Sequence, residues 1–209
     1  MVKYISLTFD DGPNLGDDST MNDMLDILEK HGVTASFFLI GNKINENNIK
    51  VIKRAFEMGC DIENHSWTHP VMSDLSKEEI QKEYELCDQA IIKITGKKPE
   101  FFRPPYMAVS PLMHEVIETP FICGVGCQDW EADVSAEERF NKLMQARQDG
   151  VLYLLHVMEK NTATLEAVDR IIPILKEEGY TFVTVPQMFK IKDQANPKKG
   201  QLWSLVNQK

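Results

Sequence analysis

The sequence predicts an α/β fold, a small or incomplete (β/α) barrel of about seven parallel strands with helices outside. Three observations carry this expectation. Short apolar runs alternate with longer amphipathic segments about seven times along the chain. No GxGxxG turn follows the first strand, so the competing doubly wound, dinucleotide-binding sheet gains no support. The length of 209 residues suits one domain with a full hydrophobic core and is short for two.

Taken in order, strand 4–9 opens the chain and helix 19–31 follows, with Met24, Leu25, Leu28 and His31 at helical spacing. Strand 34–40 leads to helix 46–58, strand 61–64 to helix 77–95, and strand 101–103 to helix 111–118. Strand 121–124 precedes helix 136–148. Strand 151–156 precedes helix 164–178, where Ile171, Ile172, Ile174 and Leu175 keep helical spacing despite Pro173. Strand 181–184 closes the pattern. Gly32, Gly59, Gly96 and Gly179 each fall just past a helix end, where a left-handed residue is favoured. One domain is expected over residues 1–190. Residues 191–209 read as a polar C-terminal extension that Trp203 and Leu205 dock back on the domain.

Composition narrows the function classes. Hydrophobic residues make up 43% and charged residues 26%, ordinary for a soluble globular protein. No apolar stretch of about 18 residues exists, so no membrane partner is expected. The first residues run straight into a strand with no basic segment and apolar stretch before it. The expected location is therefore cytoplasmic if the chain is complete, and secreted if a signal peptide was trimmed. The formal net charge of -9, with scattered basic residues, argues against a nucleic-acid partner. The four cysteines, Cys60, Cys87, Cys123 and Cys127, form no CxxC pair and read as reduced, structural thiols.

The chemistry gathers at the C-terminal ends of the expected strands, the rim where parallel barrels build their sites. In Thr8-Phe9-Asp10-Asp11-Gly12-Pro13-Asn14, a strand ends in two adjacent carboxylates and a Gly-Pro turn. Neighbours on an extended chain point to opposite sides, so the two aspartates can do different jobs, one on a metal and one on a proton. The plainer alternative is a turn built from ordinary turn formers. Asn64-His65-Ser66-Trp67-Thr68-His69-Pro70 holds two of the five histidines of the chain. Pro70 disfavours helical backbone at His69, so a loop that converges two imidazoles on an ion is expected there. One carboxylate and two imidazoles are the ligand set of a catalytic zinc site with a position open for water. Arg103 ends the aromatic run Phe101-Phe102 and needs a partner such as Asp10. Asp129-Trp130 and the apolar run ending in His156 complete the set. His156 becomes a general-acid candidate if Asp129 orients it, and is otherwise a structural histidine.

These five clusters resemble the motifs of the polysaccharide deacetylase family, the NodB homology domain of carbohydrate esterase family 4. The matching stretches are TFDDGPN at 8–14, HSWTHP at 65–70, RPPY at 103–106, DW at 129–130 and LLH at 154–156, in family order. The stretch GYTFVTVPQMF at 179–189 is similar to the family's closing strand and helix. The resemblance implies a distorted (β/α) barrel and a metal-dependent hydrolytic deacetylase. It implies that Asp11, His65 and His69 hold one divalent ion, zinc first, with cobalt, nickel or manganese able to substitute. It implies Asp10 as catalytic base, Arg103 as its partner, His156 as general acid and Asp129 as the group tuning it. It further implies the Tyr106 backbone N–H as oxyanion donor, and Trp130 and Leu154 as the acetyl-methyl pocket. The same likeness implies an acetylated oligo- or polysaccharide as substrate, and a monomer is expected.

Three departures bear on substrate. Met107 follows the RPPY tyrosine where many members have Gly, and Val157 follows His156 where many have Asp. Gly126-Cys127-Gln128 precedes Asp129-Trp130 in place of commoner acidic and hydroxyl residues. Met107 and Val157 are expected to make the rim more apolar. The RPP context and the run FICGVGCQDW look like acetylxylan esterase members, which implies O-acetyl xylan or xylo-oligosaccharide as substrate. N-acetylated chitin oligomers or peptidoglycan are the alternative substrates, and an inactive carbohydrate-binding relative is the alternative of another class.

Overall fold

A computed structural model of the protein describes residues 2–16, 20–193, 197 and 200–208. Its central strand, β1 (Lys3–Asp10), is buried from Ile5 onward. Along it the side chains alternate between two faces. Ile5, Leu7 and Phe9 pack into the main core with Met21, Met24, Leu25 and Leu28 of helix α1 (Thr20–His31). Ser6, Thr8 and Asp10 fall on the other face. That alternation sends Asp10 to the inside of the sheet.

The remaining elements follow as β2 (Ser36–Leu39), α2 (Ile49–Glu57), β3 (Asp61–Asn64) and α3 (Lys77–Thr95). Next come α4 (Pro111–Val116), β4 (Phe121–Ile122), β5 (Val125–Gly126) and α5 (Ala136–Ala146). The chain ends through β6 (Val151–His156), α6 (Thr162–Glu177), β7 (Tyr180–Phe182), α7 (Val185–Ile191) and β8 (Leu202–Trp203). The parallel order is β3-β2-β1-β6-β5. β7 pairs with Lys3–Ile5 and β2 with Thr8–Asp10, both on the edge of β1 that β6 does not use. Inserting β7 below β2 in this way distorts the barrel. Bridges at Asn64–Phe102 and Phe102–Phe121 carry the pairing on to β4, which pairs with β8, and Leu205 bridges back to Val151 of β6. The protein is an α/β fold whose mostly parallel strands follow a distorted (β/α) barrel.

Most expected elements stand where the sequence put them, with instructive shifts. Helix α2 begins three residues later than position 46 because Asn45 and Asn48 form side-chain turns, accepting from the backbone N–H of Asn47 and Asn45. Strand 101–103 reduces to a single bridged residue, Phe102. Strand 121–124 splits into β4 and β5 around Gly124, whose φ is 128°. A Cβ there would lie 2.9 Å from Leu154 Cβ and 3.0 Å from Leu152 O, so the chain breaks where its backbone presses on β6. Helix α3 starts with a capping box between Ser76 and Glu79 and ends on Gly96 at φ 71°. Ser19, expected to open α1, lies outside the described residues. Trp203 is buried and Leu205 packs on the core, so the C-terminal segment docks back onto the domain. All four cysteines are free thiols; burial pushes Cys60 up to about 11 and Cys127 up to about 12. No helix among the described residues is long and apolar enough to cross a membrane.

Candidate active site

Parallel strands bring their C-terminal ends to one rim, and every cluster singled out from the sequence sits there. Asp10 lies at the end of β1, paired across the ladder with Phe38 of β2 and His156 of β6. Asp11 follows with φ 70°. That left-handed turn corrects the expectation that the two carboxylates point to opposite sides. Strand alternation ends at Asp10, and the turn swings Asp11 back toward the same cavity. Asp10 Oδ2 lies 3.8 Å and Asp11 Oδ1 3.7 Å from the one nitrogen His65 Nε2.

The loop after β3 carries the histidines. Ser66 and His69 both adopt left-handed backbone, at φ 70° and 62°. The loop is held from below. Glu83 on α3 accepts hydrogen bonds from the backbone N–H of Trp67 and Thr68 and from the Thr68 hydroxyl, at 3.0, 2.7 and 2.8 Å. The Asn64 amide joins Tyr84 O and Asp88 on α3, and its carbonyl accepts from Ser66 N–H. His65 Nδ1 sits 2.7 Å from Arg103 O. A carbonyl only accepts, so Nδ1 carries the hydrogen and Nε2 presents its lone pair to the cavity. Burial lowers the His65 pKa to about 3 and also lowers that of His69, so both rings are neutral.

Asp11, His65 and His69 each offer one donor atom, and the three lie within 4.8 Å of one another. The His69 Nε2 to Asp11 Oδ1 distance is 3.6 Å, too long for a hydrogen bond. Asp11 Oδ1 is buried and has no hydrogen-bond partner. An orphaned carboxylate oxygen facing two neutral imidazoles fits a divalent cation between them, because metal–ligand bonds are about 2.0–2.2 Å long.

Arg103 is fully buried and donates from Nη1 to Asp10 Oδ1 at 2.5 Å. Its other nitrogens reach Ile122 O and Cys123 O, and its guanidinium lies 4.1 Å over the Phe38 ring. Asp10 Oδ2 is left buried without a hydrogen-bond partner. Burial raises the Asp10 pKa, opposed by Arg103 and His156. Opposite stands His156, with Nδ1 2.8 Å from Asp129 Oδ1 and its backbone N–H 2.7 Å from Asp129 Oδ2. Burial works to lower the His156 pKa, but the Asp129 hydrogen bond and the charges of Asp129, Asp10 and Asp11 prevail and raise it.

Trp130 is 47% exposed and meets the His156 ring edge-on at 5.5 Å. Gly126 separates Trp130 from Leu154: a Cβ there would stand 3.5 Å from the indole and 3.7 Å from the Leu154 methyl. Tyr106 is 65% exposed, at φ 56°, and packs edge-on to His69. Val157 departs from expectation. It is fully buried in the main core beside Gly12, so it does not contribute to an apolar rim; Met107 is partly exposed. Sequence reasoning also missed Lys43, whose Nζ donates to Asp11 O at 2.9 Å, and Glu83. Neither belongs to a motif, and only tertiary packing brings them to the site.

The family model described as polysaccharide deacetylase matches residues 2–119. The chain belongs to the polysaccharide deacetylase family. A bifunctional xylanase/deacetylase of Pseudobutyrivibrio xylanivorans is 40% identical over 204 residues, covering 98% of this chain and 33% of that protein. The peptidoglycan-N-acetylglucosamine deacetylase PgdA of Listeria monocytogenes is 35% identical over 193 residues, covering 92% and 40%. The chain thus spans between a third and a half of the length of these curated relatives. Among solved structures, the Xyl-CE4 domain of a multidomain xylanase from the hindgut metagenome of Trinervitermes trinervoides superposes with a TM-score of 0.96 at 42% identity, covering all of both chains. A family 4 acetyl xylan esterase from Clostridium thermocellum, in complex with cobalt, gives 0.93 at 34% identity, covering 99% of this chain and 100% of that one.

Proposed function

We propose that this polysaccharide deacetylase is a metal-dependent esterase that removes O-acetyl groups from xylan or xylo-oligosaccharides. One observation carries the chemistry. A buried carboxylate oxygen with no partner, Asp10 Oδ2, faces the same cavity as the Asp11–His65–His69 cluster, and an Asp129-held imidazole stands beside it on β6. Asp11, His65 and His69 would hold a divalent ion, zinc in the first instance. When bound, the ion supplies Lewis acidity to the acetyl carbonyl and makes water acidic near neutral pH.

The chain's own groups do the proton work. Asp10 Oδ2 takes the proton from the attacking water, while Arg103 fixes the other oxygen and keeps the carboxylate aimed. The Tyr106 N–H donates to the developing oxyanion. His156 Nε2, free because Nδ1 is committed to Asp129, gives its proton to the leaving sugar oxygen. Trp130 and Leu154 receive the acetyl methyl. The substrate reading is supported by the likeness to proteins described as a xylanase/deacetylase, a xylanase domain and an acetyl xylan esterase. The likeness to peptidoglycan deacetylases supports the N-acetyl alternative. The two are separated by catalytic efficiency on acetylated xylo-oligosaccharides and N-acetylated chito-oligosaccharides of equal length, each normalised to an aryl acetate. The xylan ester is expected to lead. Robust chito-oligosaccharide or peptidoglycan deacetylation, with xylan acetate no better than the aryl control, would reassign the substrate and leave the deacetylase standing.

A further inference from the structure

Behind His156 and Asp129 lies a buried arginine that the motifs do not include. Arg139, on α5, is almost entirely buried, yet among the described residues it forms no ion pair with a carboxylate. Its Nε donates to Val134 O and its Nη2 to Glu131 O, each at 2.9 Å. Nη1 donates to Asn161 Oδ1 and, at 2.8 Å, to Thr164 Oγ1. All four acceptors are neutral. A guanidinium out of water needs a counter-charge, and hydrogen bonds to neutral groups only partly supply it. The carboxylate connected to it is Asp129, one hydroxyl away, because Thr164 Oγ1 donates to Asp129 Oδ2 at 3.0 Å.

The direction of that relay follows from donor counting. The Thr164 oxygen accepts from Arg139, so its single hydrogen is sent to Asp129. Asp129 Oδ2 then receives two donors, the Thr164 hydroxyl and the His156 backbone N–H, which leaves Oδ1 for the His156 ring. The second arm of Nη1 matters as well. It holds Asn161, whose amide donates to His156 O at 3.0 Å. One nitrogen of Arg139 therefore braces both members of the pair.

We infer that Arg139, acting through the Thr164 hydroxyl, is a positioning residue that keeps the Asp129 carboxylate aimed at the His156 ring while His156 delivers its proton. The inference rests on reading His156 as the general acid. When His156 Nε2 passes its proton to the leaving oxygen, Asp129 is left buried beside a neutral ring. Without the Thr164 hydroxyl, Oδ2 keeps only the His156 backbone N–H, the carboxylate is free to turn, and the ring it orients is no longer held for transfer to the sugar oxygen. Arg139 fixes the Thr164 hydroxyl in the direction that prevents this.

The test uses the metal-loaded full chain and two kinds of acetyl ester. An acetylated sugar, the fastest of the matched panel, leaves as an alkoxide and needs a proton; 4-nitrophenyl acetate leaves as a stable phenolate and does not. Thr164→Val keeps the shape and removes the relay, so kcat on the sugar ester should fall on the order of tenfold with little change in KM. The aryl acetate rate should stay within about twofold. Thr164→Ser should restore most of the loss, and Arg139→Lys should show the same selectivity as Thr164→Val. His156→Ala serves as the reference for selective loss. If His156→Ala is selective and Thr164→Val slows both esters alike, or neither, the inference is overturned and the general-acid reading stands. If His156→Ala itself slows both esters equally, the general-acid reading falls and the inference with it.

Discussion

Asp10 and Asp11 carry the same side chain and differ in backbone and surroundings. Asp10 ends a strand and meets Arg103, whereas Asp11 occupies left-handed backbone braced by Lys43 and faces two imidazoles. The difference predicts separable effects. Asp10→Asn removes a proton acceptor and should cut acetate release by on the order of 10² to 10⁴ while the protein keeps its metal through dialysis. Asp11→Asn removes a charged ligand and should lower metal content itself. Metal analysis beside acetate assays checks both, and equal metal loss from the two variants would abolish the division of labour. The adjacency of the carboxylates and the pair of histidines were legible in the chain. The convergence of the two imidazoles with one carboxylate was legible too; that both carboxylates face the same cavity was not, because it depends on positive φ at Asp11, which a non-glycine sequence does not announce.

Helix α3 shows how an element far from any motif serves the site. Its outer face is charged, and Glu83 belongs to no motif. In the fold, Glu83 reaches under the histidine loop and takes three hydrogen bonds from Trp67 and Thr68. Glu83→Ala should leave the helix intact, since its cap at Ser76–Glu79 and its Gly96 stop are untouched. It should weaken zinc affinity by about 10- to 100-fold, the range for groups that orient metal ligands from outside. Isothermal titration with zinc measures this directly, and an unchanged affinity would make Glu83 a surface residue only. The same scale explains the shifts in element boundaries. The asparagine turns before α2 and the close approach of Gly124 to β6 depend on partners elsewhere in the fold.

At the scale of the whole molecule, the C-terminal segment and the catalytic rim are linked. β8 pairs with β4, and Cys123 N–H donates to Trp203 O. The carbonyls of Ile122 and Cys123 in turn hold Arg103, which holds Asp10. Trp203 packs against Phe189 within a core cluster that also contains Phe38, the residue beneath Arg103. Trp203→Ala should cost about 3–5 kcal/mol, read as a lower urea midpoint. A loss below about 0.5 kcal/mol, typical of a surface change, would show that the segment is dispensable to the barrel. By itself, the sequence determined the alternation of strands and helices, the family through its motifs, and the residue types at the rim. Those are local properties, set by periodicity, turn formers and spacing along the chain. Only the tertiary structure decided that the tail pairs with β4, that Val157 is core and not rim, and that Lys43, Glu83 and Arg139 stand behind the site. Each of these depends on contacts between residues distant in sequence. The physical reason is that hydrogen bonds and buried charges are satisfied in space, and outside the motifs their partners leave no mark on the chain.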